Sequence, residues 1–436
     1  MASNGLTKFG SSDLTLIKDI ERDMAKVQKI KGFVDLFPEE AAKFSFMESQ
    51  AREAFTRYGF GELRTPILEK TELFQKSIGE DTDVVGKEMF TFPDRKNRSL
   101  TMRPEATAGV VRAFIESKTH QPGKVSKYFT FGPMFRYERP QKGRQRQFHQ
   151  INAEIFGAPE AQADAELILM LRSFLNSLGL TKLTIELNSL GCHECRPTYK
   201  QALVDYYLSK DKEQFCEDCQ RRMETNPLRV LDCKVPACKE LVADAPSITD
   251  HLCDECETHF TDVKTILDGA GVAYELNPRL VRGLDYYVRT CFEVASYDIG
   301  SQTAVAGGGR YDGLIKNLGG ADCPATGFAC GMERLALLLD QMELDKPDFY
   351  LAVVDKGAAN AAMLFAQQLR DKGLKGETSF SGGSMKSRMR AANKSGAKVC
   401  LIMGGDELTN ETITVKYMEE ERDQETLGRS EYLAKV

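Results

Sequence analysis

The stretch from Arg136 to Glu154 combines residue types that bind phosphate with residue types that line a polar pocket. Arg136 ends an aromatic-rich predicted strand, KYFTFGPMFRYE, and the basic loop sequence RPQKGRQRQ follows it. Arginine can hold a phosphate through two parallel hydrogen bonds and stays charged. In the next strand, Gln150 and Glu154 share the face opposite Ile151. This polar row favours a ligand site over a plain solvated hairpin.

Three other segments carry weaker signals of similar chemistry. Arg334 follows Gly331 at the start of a predicted apolar helix, whose amino end would attract an anion. LVRGLDYY (280–287) places an arginine beside two tyrosines, and AGGGRYDGL (306–314) predicts a sharp glycine turn that a ligand could approach closely. Each segment also has an ordinary explanation when taken alone. Arg334 could be a surface residue, the two tyrosines part of a core, and the glycines a plain turn.

Eight of the twelve cysteines fall in one segment and need a local explanation. Paired thiolates at these spacings suit tetrahedral structural zinc. One four-cysteine site or two are both consistent with the spacing, and His193, His251 and His259 are alternative ligands. The other reading is an insertion of reduced, partly buried cysteines that binds no metal. The eight residues are Cys192, Cys195, Cys216, Cys219, Cys233, Cys238, Cys253 and Cys256.

Hydrophobic periodicity predicts the elements that position these residues. Residues 39–57 predict an amphipathic helix, and 127–157 predict two strands joined by a polar loop. Strand-like sequence runs from 281 to 303, and GFACGMERLALLLD predicts a strand followed by a helix. The cysteine-rich segment, 192 to about 265, has a mostly helical pattern.

Beyond Pro347 the pattern changes to an alternation of strands and helices. FYLAVVD and AKVCLIMGG predict buried strands, whereas AANAAMLFAQQLRDKG and the basic SGGSMKSRMRAANKSG predict helices. This alternation predicts a small α/β domain with a mainly parallel sheet. A chain of 436 residues is expected to form two or three domains.

Composition excludes several classes of protein. A net charge of -6 argues against a protein that coats nucleic acid over its whole surface, although local basic patches remain compatible with it. The sequence has neither a secretory signal pattern nor an apolar run of membrane-spanning length. Many cysteines without a signal sequence predict a reducing, cytoplasmic location. Residues 1–23 precede Met24, where a natural protein start is expected, and are interpreted as an N-terminal extension or as the result of a misassigned start site.

Taken together, the segments resemble the class II aminoacyl-tRNA synthetases. Residues 58–69 resemble the first motif of that class, FRYE with its loop the second, and GMER (331–334) the third. LVRGLDYY and GGRYDGL are similar to two signatures peculiar to the histidyl-tRNA synthetases. TMRPEAT (101–107) matches their amino-acid-binding stretch, and TDVVGKEMFTF (82–92) matches the segment before it. The departures are an extra glycine in AGGGRYDGL and Ala106 where glycine is usual.

The resemblance, which runs from about Met24 to the end, implies an architecture. It implies an α/β protein with an α+β catalytic core at 24–345, built on an antiparallel sheet flanked by helices. A helical insertion domain would occupy about 192–265, and an α/β anticodon-binding domain 346–436. The activity implied is histidine–tRNA ligation: ATP activates L-histidine to histidyl-adenylate and diphosphate, and tRNA(His) then receives histidine at its 3′ end. ATP as substrate, Mg²⁺ and a cytoplasmic homodimer are implied as well.

The resemblance also implies roles for single residues. Arg136 and Arg282 would hold the α-phosphate of ATP and Arg334 the γ-phosphate, with Arg282 in a place where other class II enzymes tend to use a metal. Glu138 would help to hold magnesium. The histidine pocket would be formed by Glu105, Thr107, Gln150, Glu154, Tyr286 and Tyr287. Arg144 would make a further contact with ATP. Contacts with tRNA would come from Gln141, Arg146, Lys386 and Arg388.

Three alternatives belong to the same fold group. A synthetase-like regulatory subunit of a histidine-biosynthesis enzyme typically lacks the insertion, the C-terminal domain and some of the arginines, all of which this chain keeps. A synthetase-like sensor of uncharged tRNA normally accompanies a kinase, and the sequence carries no kinase signature. LVRGLDYY argues against a class II synthetase for another amino acid.

Overall fold

The structure is a computed structural model that describes residues 28–79, 82–119, 121, 123–299, 304–341, 345–380, 383–420 and 422–436. The chain divides into two compact units between residues 342 and 343. The extension expected at residues 1–23 lies outside the described residues. Within the described ranges, no helix combines the length and the apolar character needed to cross a membrane.

The first unit consists of strands β1 to β11 and helices α1 to α10. In chain order, its strands are β1 (Gly61–Glu62), β2 (Leu68–Lys70), β3 (Phe90–Pro93), β4 (Ser99–Met102), β5 (Ser126–Phe135), β6 (Gln147–Phe156), β7 (Thr184–Ser189), β8 (Glu275–Leu276), β9 (Val288–Ala295), β10 (Ala304–Arg310) and β11 (Ala325–Gly331). Its helices are α1 (Pro38–Arg57), α2 (Thr71–Ile78), α3 (Thr107–Ser117), α4 (Ala161–Ser177), α5 (Cys195–Leu208), α6 (Glu217–Thr225), α7 (Pro236–Leu241), α8 (Asp254–Gly269), α9 (Leu314–Asn317) and α10 (Met332–Ala336).

A large sheet organises the first unit, with strand order β1-β5-β6-β11-β10-β9-β7-β8. The six inner strands pair antiparallel, and only the short edge strands β1 and β8 pair parallel with their neighbours. The expected antiparallel sheet flanked by helices is therefore confirmed. A separate three-stranded sheet has the order β2-β4-β3.

The two faces of β6 have the division that its alternating sequence predicts. Ile151, Ala153 and Ile155 are fully buried in the core that α1, α4 and α8 build against the sheet. The intervening residues, Gln150, Asn152 and Glu154, line a cavity on the opposite side. Because side chains alternate along a strand, one face packs the core while the other is free to contact a ligand.

The sharp turn predicted at Gly307–Gly309 is wrong. These glycines lie inside β10, paired with β9 on one side and β11 on the other. A side chain on Gly307 would collide with the guanidinium of Arg282, and one on Gly308 would collide with the backbone of β11. The glycines are needed for close packing across the sheet rather than for a change of chain direction.

The strand expected over 281–303 is shorter than predicted, because β9 begins only at Val288. The preceding residues form a loop whose backbone carbonyls bind side chains instead of a neighbouring strand. Asn188 Nδ2 donates to the carbonyl of Leu280 at 3.0 Å, and Arg229 donates to that of Gly283 at 2.6 Å. These side-chain donors satisfy the backbone outside a ladder.

The insertion is helical, as its pattern predicts. It contains α5, α6 and α7 with single helical turns at Lys212–Gln214, Pro227–Val230 and Ile248–His251. Its own small core is formed by Tyr199, Leu203, Tyr207 and neighbouring side chains, three of them cysteines. The chain returns to the main core through α8, whose His259 contacts Asp164 of α4 at 2.7 Å.

The second unit is also an α/β unit, but its sheet is not mainly parallel. Its strands are β12 (Phe349–Val353), β13 (Gly376–Thr378), β14 (Val399–Met403), β15 (Thr412–Tyr417) and β16 (Glu425–Gly428), and its helices α11 (Ala359–Asp371), α12 (Met385–Ser395), α13 (Gly405–Thr409) and α14 (Arg429–Lys435). The strand order is β13-β12-β14-β15-β16. β12 pairs parallel with β13 and β14, whereas β14–β15 and β15–β16 pair antiparallel. The short β15–β16 connection permits only an antiparallel pair.

Candidate active site

A cavity of about 1300 Å³ opens between the polar face of the large sheet and the insertion. The predicted ATP and histidine residues converge on it, although they come from five separate segments of the chain. Its lining includes Glu105, Thr107, Arg136, Glu138, Arg144, Gln150, Glu154, Arg282, Tyr286, Tyr287 and Arg334. Such convergence of charged groups in one concave site is typical of an active site.

One end of the cavity centres on the buried carboxyl group of Glu154. Thr107 Oγ1 donates to Glu154 Oε1 at 2.7 Å, and the hydroxyl of Tyr311 donates to Oε2. Glu105 accepts the backbone N–H groups of Thr107 and Ala108, at 2.6 and 2.9 Å, and so caps the start of α3. Two carboxyl groups are therefore held side by side at this end.

Burial raises the pKa of Glu154 to about 8, and the nearby charge of Glu105 adds to this effect. The hydrogen bonds from Thr107 and Tyr311 favour the ionised form but only partly offset burial. Hydroxyl partners can donate to a carboxylate or accept from a protonated acid. Glu154 can therefore present either a donor or an acceptor to a ligand near neutral pH.

Three tyrosines pack around the Glu154 carboxyl group. The ring centroids of Tyr286 and Tyr287 lie 4.7 Å apart, and those of Tyr286 and Tyr311 lie 5.4 Å apart. Sequence reasoning missed Tyr311, although it stands in the GGRYDGL signature. The available signal was its place in that signature; in the structure Tyr311 directly follows β10, where Arg310 is fully buried and paired with Asp164.

In the cavity, Arg282 lies with its guanidinium over Gly307 of β10. Its Nη1 donates to Glu293 Oε2 at 2.7 Å, and its guanidinium lies over the ring of Tyr287 at 5.7 Å from the centroid. Glu293 on β9 is a partner that the sequence did not reveal. It orients one edge of the guanidinium and leaves the remaining N–H groups for an anion.

Among the described residues, three buried polar atoms in the cavity lining have no hydrogen-bond partner. They are Arg282 Nε, a donor, and two acceptors on β6, Gln150 Oε1 and Asn152 Oδ1. Buried polar groups in proteins are usually paired, and leaving one unpaired costs about 1–3 kcal/mol. A ligand that carries both an anionic and a cationic group would satisfy all three.

The other end of the cavity gathers positive charge around Glu138. Arg144 forms a two-point ion pair with Glu138, and Arg136 Nε donates to the carbonyl of Pro104 at 2.8 Å. Burial lowers the pKa of Arg334, and the positive charges of Arg144 and Arg136 lower it further. Mutual repulsion of this kind indicates a site organised for an anion.

A second carboxyl group, Glu88, adjoins Glu138 and was not anticipated from the sequence. Burial and the negative charge of Glu138 raise the pKa of Glu88. Two adjacent carboxyl groups provide the hard oxygen ligands that Mg²⁺ prefers. The donor set therefore fits a magnesium ion, although Glu138 would have to share its oxygens with Arg144.

The residues expected to contact tRNA lie outside this cavity. Gln141 is exposed and forms an isolated backbone bridge with Arg144. The guanidinium of Arg146 stacks on Tyr137, at 3.7 Å from the ring centroid. In the second unit, Lys386 is exposed on α12, whereas Arg388 donates to the carbonyl of Val353 at 3.2 Å.

The eight clustered cysteines form two groups of four. The neck cysteines are Cys192, Cys195, Cys253 and Cys256, and the cap cysteines are Cys216, Cys219, Cys233 and Cys238. In each group the four sulfur atoms lie within 4.8 Å of one another. The alternative ligands are not in either group, and His259 instead contacts Asp164.

Comparisons with known proteins agree with this geometry. Residues 32–335 match the family model "Histidyl-tRNA synthetase", and residues 348–436 match "Anticodon binding domain". The chain is 65% identical over 410 residues to the histidine–tRNA ligase of Maridesulfovibrio salexigens, covering 94% of this chain and 100% of the relative. It is 63% identical over 413 residues to that of Nitratidesulfovibrio vulgaris strain DP4, covering 95% and 99%.

The fold is also similar to that of a solved histidyl-tRNA synthetase. Apo histidyl-tRNA synthetase of S. aureus is 35% identical, with a TM-score of 0.76, and the match covers 94% of this chain and 99% of that one. The fold is therefore that of a class II aminoacyl-tRNA synthetase with a C-terminal anticodon-binding domain. Within that class, the chain belongs to the histidyl-tRNA synthetase family, as its motifs predict.

The raised pKa of Glu154 predicts a pH dependence of stability. The carboxyl group stays protonated in the folded state up to about pH 8 but ionises near pH 4.5 when unfolded. Because the folded state then holds the extra proton, stability falls as pH rises across that interval. We expect Glu154→Gln, which cannot ionise, to gain thermal stability relative to the unsubstituted chain between about pH 5 and pH 8.

The measurement is the melting temperature of both proteins across that pH range. Glu72→Gln is the matched control, because Glu72 is a 60% exposed surface carboxyl group on α2. Its melting curve should stay parallel to that of the unsubstituted chain. Parallel curves for Glu154→Gln as well would contradict the raised pKa.

Proposed function

We propose that this cavity is where the chain activates histidine with ATP and then transfers it to tRNA(His). The observation that carries the proposal is the convergence of Arg136, Arg282 and Arg334 with the carboxyl group of Glu154 on one cavity. A triphosphate and an imidazole would thereby lie side by side. Membership of the histidyl-tRNA synthetase family supports the same reaction.

In the first step, a carboxylate oxygen of histidine attacks the α-phosphorus, and the bond to the bridging oxygen of diphosphate breaks. We assign Arg282 and Arg136 to the α-phosphate and Arg334 to the γ-phosphate. Negative charge grows on the phosphoryl oxygens as diphosphate leaves. Guanidinium groups already fixed by Glu293 and by backbone carbonyls stabilise that charge without reorganisation. A terminal hydroxyl of tRNA then attacks the histidyl carbonyl and releases AMP.

Histidine recognition is assigned to the opposite end of the cavity. Glu154 and Tyr287 would bind the two imidazole nitrogens, one of which donates while the other accepts, and Tyr286 would shape the pocket. Gln150 is well suited to the α-ammonium group because its Oε1 atom is a buried, unpaired acceptor. Glu105 and Thr107 would form the rest of the histidine pocket. The backbone N–H of Thr107 already donates to Glu105, so this carboxyl group has less capacity to bind a ligand. A pocket that pairs both ring nitrogens rejects isosteres strongly.

Magnesium has a defined place in this scheme. We assign Glu88 and Glu138 as the carboxyl groups that would hold it. When bound, the ion would neutralise charge on the β- and γ-phosphates. In this arrangement Arg144 keeps Glu138 ionised, since the ion pair lowers the pKa of Glu138 against the effect of burial.

ATP–diphosphate exchange with each amino acid in turn tests the function and the site together. We expect histidine alone to drive exchange. Arg282→Ala should lower the exchange rate by on the order of 10²–10³-fold, because the α-phosphate then lacks a fixed positive charge. Glu154→Ala should abolish histidine-dependent exchange.

Arg57→Ala is the matched control, because Arg57 is a 65% exposed arginine at the end of α1. Its exchange rate should be unchanged. Exchange driven by another amino acid would overturn the function, whereas normal exchange by Arg282→Ala would overturn only the assignment of that residue.

The tRNA contact in the second unit is proposed for one face of α12. Lys386, Arg390 and Lys394 are exposed and follow at intervals of four residues, so they share one helix face. Arg388 points elsewhere, toward β12. A row of cations of this spacing suits the phosphate backbone rather than base edges.

We expect Lys386→Glu with Arg390→Glu to weaken tRNA binding. The salt dependence of binding should also become shallower, by about one unit of slope for each phosphate that the variant no longer neutralises. The measurement is the dissociation constant for tRNA(His) at several salt concentrations. Lys372→Glu with Lys375→Glu is the control, with the same charge change elsewhere on the second unit. Unchanged affinity and salt slope in the α12 variant would refute the assignment.

A homodimer is proposed through the three-stranded sheet. The pairing of β2, β4 and β3 brings Leu68, Phe90, Phe92, Leu100 and Met102 to one face. Leu68 on β2 and Phe92 on β3 are 44% and 42% exposed, so this face presents apolar side chains to solvent on both outer strands. Exposed apolar patches of this kind mark interaction surfaces.

We therefore expect Leu68→Glu with Phe92→Glu to convert a dimer into a monomer, because charges would be buried at the interface. Light scattering after size exclusion gives the mass directly. Leu364→Glu, at a 69% exposed leucine of the second unit, should leave the dimer intact. A monomeric mass for the unsubstituted chain would end this proposal.

A further inference from the structure

We propose that the neck cysteines and the cap cysteines each bind one zinc ion, and that the two ions fix the insertion against the histidine pocket. Neither ion takes part in the chemistry of the proposed function. The inference rests on the arrangement of the sulfur atoms and of the elements that carry them.

The sulfur–sulfur distances match a zinc tetrahedron. Four thiolates at Zn–S bonds of about 2.3 Å form a tetrahedron with edges of about 3.8 Å. In the neck group, Cys192 Sγ lies 3.6 Å from Cys195 Sγ and 3.8 Å from Cys253 Sγ. In the cap group, Cys216 Sγ lies 3.8 Å from Cys233 Sγ. These separations are far longer than the roughly 2.05 Å of a disulfide.

Backbone groups around the sulfur atoms also suit thiolates. The N–H of Cys253 donates to Cys195 Sγ at 3.1 Å, and the N–H of Cys216 donates to Cys238 Sγ at 3.3 Å. Each CxxC pair lies at the amino end of a helix, namely α5, α6 or α8. The helix dipole there favours negative charge. Such surrounding donors orient and stabilise metal ligands.

The insertion has a physical need for such cross-links. Its helices are short, with nine residues in α6 and six in α7, and its core is small. Segments of this size rarely bury enough apolar surface to hold a unique structure without disulfides or metal. Three of the cap cysteines are themselves part of that core. A metal there would therefore join short helices directly through their buried side chains.

The neck cysteines lie where the chain enters and leaves the insertion. Cys192 follows β7 closely, and Cys253 precedes α8, which returns to the main core. The residue after Cys195 is Arg196, whose guanidinium donates to the carbonyls of Leu190 and Tyr287. A zinc ion at the neck would therefore fix the arginine that holds the backbone of the proposed imidazole-binding tyrosine.

The elements that carry the cap cysteines also contact the loop at 280–287, which precedes β9. α6 and the turn after it carry Asn226 and Arg229, which contact Asp285 and Gly283. Cys216 and Cys233 also line the cavity. Together the two ions would hold in place the insertion residues that contact the loop carrying Arg282, Tyr286 and Tyr287.

Metal analysis of the purified full-length protein tests the proposal independently of activity. We expect two zinc ions per chain. After a mercurial reagent blocks the thiols, a chromophoric chelator should detect the same two equivalents of zinc. Absence of metal, together with no uptake of Zn²⁺ or Co²⁺ by the reduced protein, would overturn the inference, and so would iron in place of zinc.

Single variants test the pairing. Cys195→Ser and Cys219→Ser should each keep one zinc ion, because each leaves the other group intact. Cys400→Ala, at a buried cysteine of the second unit, should keep two. Cys195→Ser should also raise the KM for histidine, on the order of tenfold, through displacement of Tyr287. Loss of both ions from either variant would overturn the pairing even if the proposed reaction stands.

Discussion

The proposed active site depends on glycine residues in the centre of the large sheet. Gly327 on β11 pairs with Glu154 on β6, and a side chain at that position would overlap the Glu154 carboxyl group. Gly307 on β10 lies under the Arg282 guanidinium in the same way. Two ionisable groups can lie flat on the sheet only because neighbouring strands carry no side chains there.

This arrangement has an energetic cost that the proposed substrates would relieve. Burying Glu154 favours its neutral form, and Arg282 Nε, Gln150 Oε1 and Asn152 Oδ1 are buried without partners among the described residues. Each unpaired polar atom costs about 1–3 kcal/mol. In the proposed complex, an ammonium group and a phosphate would restore the missing hydrogen bonds, whereas ligands without these groups would leave the cost in place. Selectivity would then follow from the unpaired atoms as much as from the hydrogen bonds already formed.

Sequence reasoning could predict the elements and the chemical groups, but not every neighbour of those groups. The alternation along β6 was sufficient to predict the polar row of Gln150 and Glu154, and arginines beside strand ends predicted an anion site. Tyr311, Glu293 and Glu88 were missed because their roles depend on strand register and on contacts between distant segments. The same limit explains why the turn predicted at Gly307–Gly309 is part of a strand. The local sequence pattern does not distinguish a glycine in a turn from a strand glycine that lies under a guanidinium group.

The loop at 280–287 connects the cleft to the rest of the structure. It makes no strand of its own, so its carbonyl groups bind side chains from β7 and from the insertion, including Asn188, Arg229 and Arg196. Residues outside the predicted substrate sites thus hold the backbone that carries Arg282 and Tyr287. Since a small displacement of a catalytic group can lower a rate by about 10²-fold, we infer that the proposed reaction depends on the order of the insertion. In this proposal the cysteine-rich segment would act on catalysis by positioning the loop and not through chemistry of its own.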